Sequence, residues 1–269
     1  MKIDFHTHCF PDKIAPRAME LLAKSSALVP VSDGTKNGLL ENMAEDGVDI
    51  SVVLNIATNA HQQASVNNFA AELNQQEKLL AFGSVHPDAE NIFEELEHIC
   101  ELGLLGVKLH PDYQGFYVDD EKMKPIYKKI SSLGLITVFH AGVDYGYAAP
   151  YHCMPENLAR ALSWFESPVV AAHWGGLMCH EGVLKHLCGL PVYFDVSFAY
   201  GAVALPMVKK IAEKHGVDKL LFGSDSPWHR PSEEKRVVEN LDLSEAEKNR
   251  IYYQNAAKLL GINQSKGSF

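Results

Sequence analysis

The chain has 269 residues, 46% of them hydrophobic and 22% charged, with a net charge of −10. That composition suits one soluble globular unit with a large core, because barrels of about 250 residues fold as single domains. It argues against nucleic acid or an anionic membrane as a partner; no apolar run of about 18 residues reads as a membrane span, and no basic-then-apolar leader follows Met1-Lys2, so no signal peptide is expected, while the cysteine usage points to a reducing compartment, the cytoplasm.

The first predicted strand is Ile3-Asp4-Phe5-His6-Thr7-His8. Alternation along a strand sends Ile3 and Phe5 to one face and Asp4, His6 and His8 to the other. Two imidazoles, common nitrogen donors for zinc-like cations, then look the same way. A helix starts near Pro11-Asp12, with Ile14, Ala18, Leu21 and Leu22 at helical spacing. Further helices are predicted at 37–46, 61–76, 90–102, 121–133, 156–165, 181–187 and 206–215. Between them, predicted strands fall at 49–56, 79–86, 105–110, 135–140, 168–173, 192–197 and 219–225. Helices at 233–240 and 245–260 close the chain, the second opened by Ser244 and Glu247 at capping-box spacing.

Apolar strands alternating with helices, with no linker or composition break, indicate a parallel sheet. Eight such units in this length predict an α/β fold, a single-domain (β/α)8 TIM barrel over residues 1–269. A doubly wound open sheet is the alternative; no GxGxxG follows the first strand to support it.

Polar residues recur at the strand ends: His6 and His8, Asn55, His86, Lys108 and His110, His140, His173, Asp195 with Ser197, and Asp225. In a barrel these ends converge on the face that holds the active site. His98, His186 and His215 fall on predicted helices and read as solvated; His61 and His180 read as surface residues, and His152 lies in the long loop after the fifth strand. The five cysteines are odd in number and show no CxxC spacing, which speaks against disulfides and a cysteine zinc site. Cys9 is placed to line the site, whereas Cys100, Cys179 and Cys188 read as small packed hydrophobes.

His6-x-His8 on the first strand, His140 ending the fifth, His173 ending the sixth and Gly223-Ser224-Asp225 ending the eighth resemble the amidohydrolase superfamily. The spacing is most similar to its amidohydrolase-related branch, which includes aminocarboxymuconate-semialdehyde decarboxylase-like proteins. The resemblance implies that His6, His8, His140 and Asp225 ligate one divalent metal, Zn²⁺ with Mn²⁺ or Fe²⁺ as alternatives. It also implies that His173 moves protons as general base, with Asp225 sharing that work. The donor types agree, since imidazoles and a carboxylate suit such a cation and leave room for water. Binuclear members carry a carboxylated lysine ending the fourth strand. Lys108 has that place and type, and is read either as such a bridge or, with one metal, as the partner of a buried carboxylate or an anionic substrate group.

Substrate contacts are expected from Lys108, His110, Tyr113, Trp228 and Arg230. The loop from 144 to 157 is long enough for a lid or a homodimer contact. The expected activity is metal-dependent hydrolysis of a small-molecule amide, lactone or ester-like bond by a metal-activated water. One alternative is non-oxidative decarboxylation of a small unsaturated or aromatic acid, which would use the same motifs. The other is a metal-binding barrel without turnover.

Overall fold

A computed structural model of the chain describes residues 1–262; the predicted domain's last residues, 263–269, lie outside them. Eight strands follow one another in parallel: β1 Ile3–Thr7, β2 Ile50–Leu54, β3 Leu79–Phe82, β4 Gly106–Leu109, β5 Ile136–Phe139, β6 Val169–Ala171, β7 Tyr193–Asp195 and β8 Leu220–Leu221. The regular ladders run β1-β2-β3 and β4 through β8, and two seams close the ring. At one, Gly83 N–H donates to Gly106 O at 2.9 Å and Lys108 N–H to Gly83 O at 2.8 Å. At the other, Phe5 N–H donates to Phe222 O at 2.7 Å and Asp225 N–H to His6 O at 2.8 Å. The expected TIM barrel is the observed fold.

Adjacent residues on a strand belong to different cores, as the two-residue period requires. Val52 joins Phe5, Leu54, Phe82, Val138, Val170 and Leu221 in a cluster that fills the barrel. Val53 instead joins Leu96, Ile99, Ile130 and Ile211 in the layer between strands and helices. Gly106 is required where β4 passes the Phe82 ring, because a Cβ there would overlap that ring and the Ile136 carbonyl oxygen. The helices keep close to their predicted bounds, with Lys36–Asp46 ended by Gly47 in the left-handed conformation. The expected helix at 245–260 is broken, however, into Glu245–Asn249, a π turn over Arg250–Gln254, and Asn255–Leu260. Its final piece brings Ala256 and Leu260 to the barrel cluster.

Two local expectations are corrected. β1 holds one more residue than β2 between the pairs Asp4↔Ser51 and Thr7↔Val53, so strict alternation fails there. Phe5 packs edge-on to Phe82 in the barrel, and the Asp4 carboxylate, expected beside the histidines, instead accepts from Ser224 N–H at 2.9 Å and from its hydroxyl. Burial raises Asp4 to about 7.

His215, expected to be solvated, is buried and stacks on Phe194 at 3.8 Å. Its Nδ1 accepts Gly189 N–H at 3.2 Å and its Nε2 lies 2.9 Å from Val192 O, so it is held neutral. Burial, with Lys219 nearby, lowers its pKa to about 4. Between pH 6.5 and 4 the unfolded chain therefore binds a proton that the folded chain refuses, and stability falls as pH falls through that window. Urea unfolding should lose about 3 kcal/mol from this residue by pH 4, and His215→Phe should flatten that part of the pH profile.

Candidate active site

The extra residue in β1 and a left-handed turn at Asp225 (φ 66°) bring the two ends of the barrel sequence together. His6 Nε2 and His8 Nε2 lie 3.1 Å apart. Asp225 Oδ1 is 3.3 Å from the first and 3.1 Å from the second. The far nitrogens fix the tautomers. His6 Nδ1 faces Asp195 Oδ2 at 2.9 Å and His8 Nδ1 faces Leu54 O at 2.8 Å. Both partners only accept, so each Nδ1 carries its proton there, as the hydrogen-bond network assigns it. Two Nε2 lone pairs and a carboxylate oxygen are left facing one another with no proton to share. Burial, and then the Lys108 ammonium, holds His6 well below 6.5, which keeps it neutral. A divalent cation satisfies such a donor set, and the residues fit one.

A second pair of lone pairs lies alongside. Ser197 donates its hydroxyl proton to Asp195 Oδ1 and so accepts from His173 Nδ1 at 2.8 Å. His140 Nε2 points at Val143 O, 3.2 Å away. What remains is His173 Nε2 opposite His140 Nδ1 at 3.2 Å. Burial, with charged neighbours, holds both imidazoles far below 6.5. His173 and Trp174 both have φ 58°, a strained conformation for such residues. It is held by the fully buried Trp174 ring, whose Nε1–H donates to Val196 O at 3.0 Å.

Of the four expected ligands, His6, His8 and Asp225 gather within 4.8 Å of one another. His140 falls instead in a group with His110 and Asp144. Its ring plane is set by a stack in which His110 lies between His140, at 4.2 Å, and Tyr113, at 4.1 Å. Its free Nδ1 nevertheless faces His173.

Lys108, His110, Tyr113 and Trp228 all line a cavity of about 700 Å³ shared with these donors. The Lys108 ammonium is buried with no acceptor within hydrogen-bond reach among the described residues; burial lowers it to about 8 against the pull of Asp195 and Asp225. Arg230 does not reach the cavity. Its guanidinium pairs with Glu45 at 2.7 Å and Asp46 at 3.0 Å, both on the helix Lys36–Asp46, and so is already committed. Cys9 lines the cavity, but burial pushes its thiol up to about 12, which removes it as a nucleophile.

Asp195 and Asp144 carry more of the site than the sequence suggested. Asp195 holds His6, His173 N–H and Ser197 at once; its strand-end position was the available signal. Asp144 accepts from Tyr113 Oη at 2.9 Å and lies 3.3 Å from His110 Nε2. It sits on a loop, where no periodicity marks it.

The Amidohydrolase family model matches residues 3–262. This chain belongs to the amidohydrolase family. A search among curated proteins returned no match. Among solved structures, an uncharacterised TIM-barrel protein from Bordetella bronchiseptica is similar at TM-score 0.77 and 20% identity, covering 97% of this chain and 98% of that one. The 5-carboxyvanillate decarboxylase of Sphingomonas paucimobilis is similar at TM-score 0.71 and 16% identity, covering 97% and 99%. A dihydroxybenzoic acid decarboxylase from Polaromonas, with bound manganese and the inhibitor 2-nitroresorcinol, is similar at TM-score 0.71 and 17% identity, covering 98% of both chains.

For this amidohydrolase the Asp195 contacts predict a measurable loss. Asp195→Asn keeps the shape but removes the charge that orients His6. Metal affinity should fall about 10- to 100-fold, read by competition with a chromogenic chelator, while thermal unfolding stays cooperative.

Proposed function

We propose that this amidohydrolase is a metal-dependent decarboxylase of a small unsaturated or aromatic acid, with His6, His8, Asp225 and His140 holding one divalent cation. The observation that carries the reading is the buried Lys108 ammonium, which lacks an acceptor among the described residues and shares a cavity with the donor group. A carboxylate seated there gains an ion pair in a site of low dielectric. The two decarboxylases of similar fold, each matched over nearly its whole length, support the reading, and the manganese in one of them supports Mn²⁺ as an alternative to Zn²⁺.

When bound, the cation draws electron density from the substrate atoms it touches. Lys108 Nζ orients the carboxylate. The apolar cavity walls keep water from it and favour its departure as neutral carbon dioxide. The carbon–carbon bond breaks, its electron pair stays on the substrate carbon, and that carbon takes up a proton. That proton comes from solvent through His173 Nε2, which is bare and so able to take a proton up and pass it on while Nδ1–H stays fixed on Ser197.

The same donors would serve hydrolysis of an amide, lactone or ester, and product analysis separates the two. Metal-loaded protein is incubated with a panel of hydroxylated aryl acids and unsaturated diacids, and with lactones and amides. Carbon dioxide release with a proton at the former carboxylate position is expected, absent in His173→Ala. Cleavage of a lactone or amide without carbon dioxide would replace this reading with the hydrolase one. Equal inactivity of wild type and His173→Ala across the panel would favour a binding protein.

A further inference from the structure

The helix Ala15–Ser26 buries only Ala15 and Met19. Its second apolar stripe, Ala18, Leu21 and Leu22, continues from Ile14 at helical spacing and lines the cavity rather than packing on another element. Ile14 and Leu21 remain 53% and 56% exposed, although both are large and apolar. Val66 and Phe69 of the helix Gln63–Leu73 line the same cavity. The polar residues that line this part, such as Thr58, Gln62 and Ser65, are neutral. Lys108 is the one lysine or arginine among the described residues that line the cavity, and it belongs to the donor end.

We infer that the substrate is amphipathic: an acidic head group at the donor end, carrying an uncharged apolar tail that lies between the stripe and the Val66–Phe69 wall. This rests on the proposed reading of the donor end and adds the substrate's other half. Two observations carry it. The apolar wall is continuous with the donor group in one cavity, and no cation along it would hold a second charged group. About 700 Å³ lies within the range of about 300–1,000 Å³ that suits ligands well above the size of a single-ring acid. From Ile14 to Leu22 the helix rises about 12 Å, the reach of roughly ten methylenes.

The test separates tail from head. The full chain as purified is titrated calorimetrically with primary alcohols from butanol to decanol, which read the apolar arm alone. Metal-loaded protein is titrated with alkyl hydroxamates from acetyl to decanoyl, which chelate the cation and extend along the same arm. Affinity should tighten about threefold to fourfold per added methylene along both series. Ala18→Trp and Val66→Trp should each abolish the chain-length dependence while leaving acetohydroxamate affinity unchanged. A flat alcohol series overturns the inference, the more so if Leu21→Asp removes a concentration-dependent dimer, which would give the stripe to a second copy of the chain. A rising alcohol series with a flat hydroxamate series also overturns it, since the arm would then not continue from the head. Loss of all hydroxamate binding beside a rising alcohol series would fall on the metal reading alone and leave the arm in place.

Discussion

Asp225→Asn should lower turnover by about a thousandfold and strip the protein of its cation. Asparagine is the informative replacement because Asp225 sits at φ 66°, a conformation that asparagine and aspartate both tolerate. The backbone bond from residue 225 N–H to His6 O is unaffected by the change. What disappears is the only negative charge within 3.3 Å of the two Nε2 lone pairs among the described residues. A neutral amide oxygen is a poorer donor to a divalent cation, and the amide nitrogen will turn towards an imidazole lone pair, closing the group with a hydrogen bond. Metal content by mass spectrometry should fall from one per chain to near zero, with cooperative unfolding retained. Full metal occupancy in Asp225→Asn would remove the carboxylate from the ligand set and, with it, the central pillar of the functional reading.

The barrel was legible because its strands are buried on both faces and ended by polar residues. Parallel strands read as apolar runs, and apart from Asp4 their histidine, lysine and aspartate residues fall towards the C-terminal ends, at or beside the cavity. His6, His8, Lys108, His110, His173 and Asp225 all reach one cavity for that reason. The failures have local causes. The irregularity in β1 depends on its pairing with β2, more than forty residues away, so alternation alone misplaced Asp4. Arg230 follows the last strand as a substrate clamp would, but Glu45 and Asp46, far away in sequence, reach it first. His215 looks like a surface residue in its helix until Phe194 of β7 is laid against it. Asp144 acts through Tyr113 and His110, which belong to another unit of the barrel. In each case the deciding contact is long-range, and neither spacing nor propensity encodes it.

Lys108→Met should make the protein more stable and less active. The ammonium is 1% exposed with no acceptor among the described residues, so it keeps its desolvation penalty without a compensating hydrogen bond. Methionine has nearly the same length and flexibility and fills the same space with apolar atoms. Removing a buried, unpartnered polar group in this way should raise stability by about 2 kcal/mol and Tm by several degrees. Cation affinity should hold or rise, because the ammonium opposes positive charge at His6. Turnover, by contrast, should fall about 10²- to 10³-fold, the usual cost of losing one aimed electrostatic contact. Calorimetric unfolding, metal counting and carbon dioxide release give three independent readings. A lower Tm would mean that Nζ has a partner in the folded protein. A drop from two cations per chain to one would mean that Lys108 bridges a metal pair, the other role its position allows. Retention of activity beside a raised Tm would leave a buried charge with no use, and an amino acid that destabilises its own fold without a function is the outcome the cavity's chemistry speaks against.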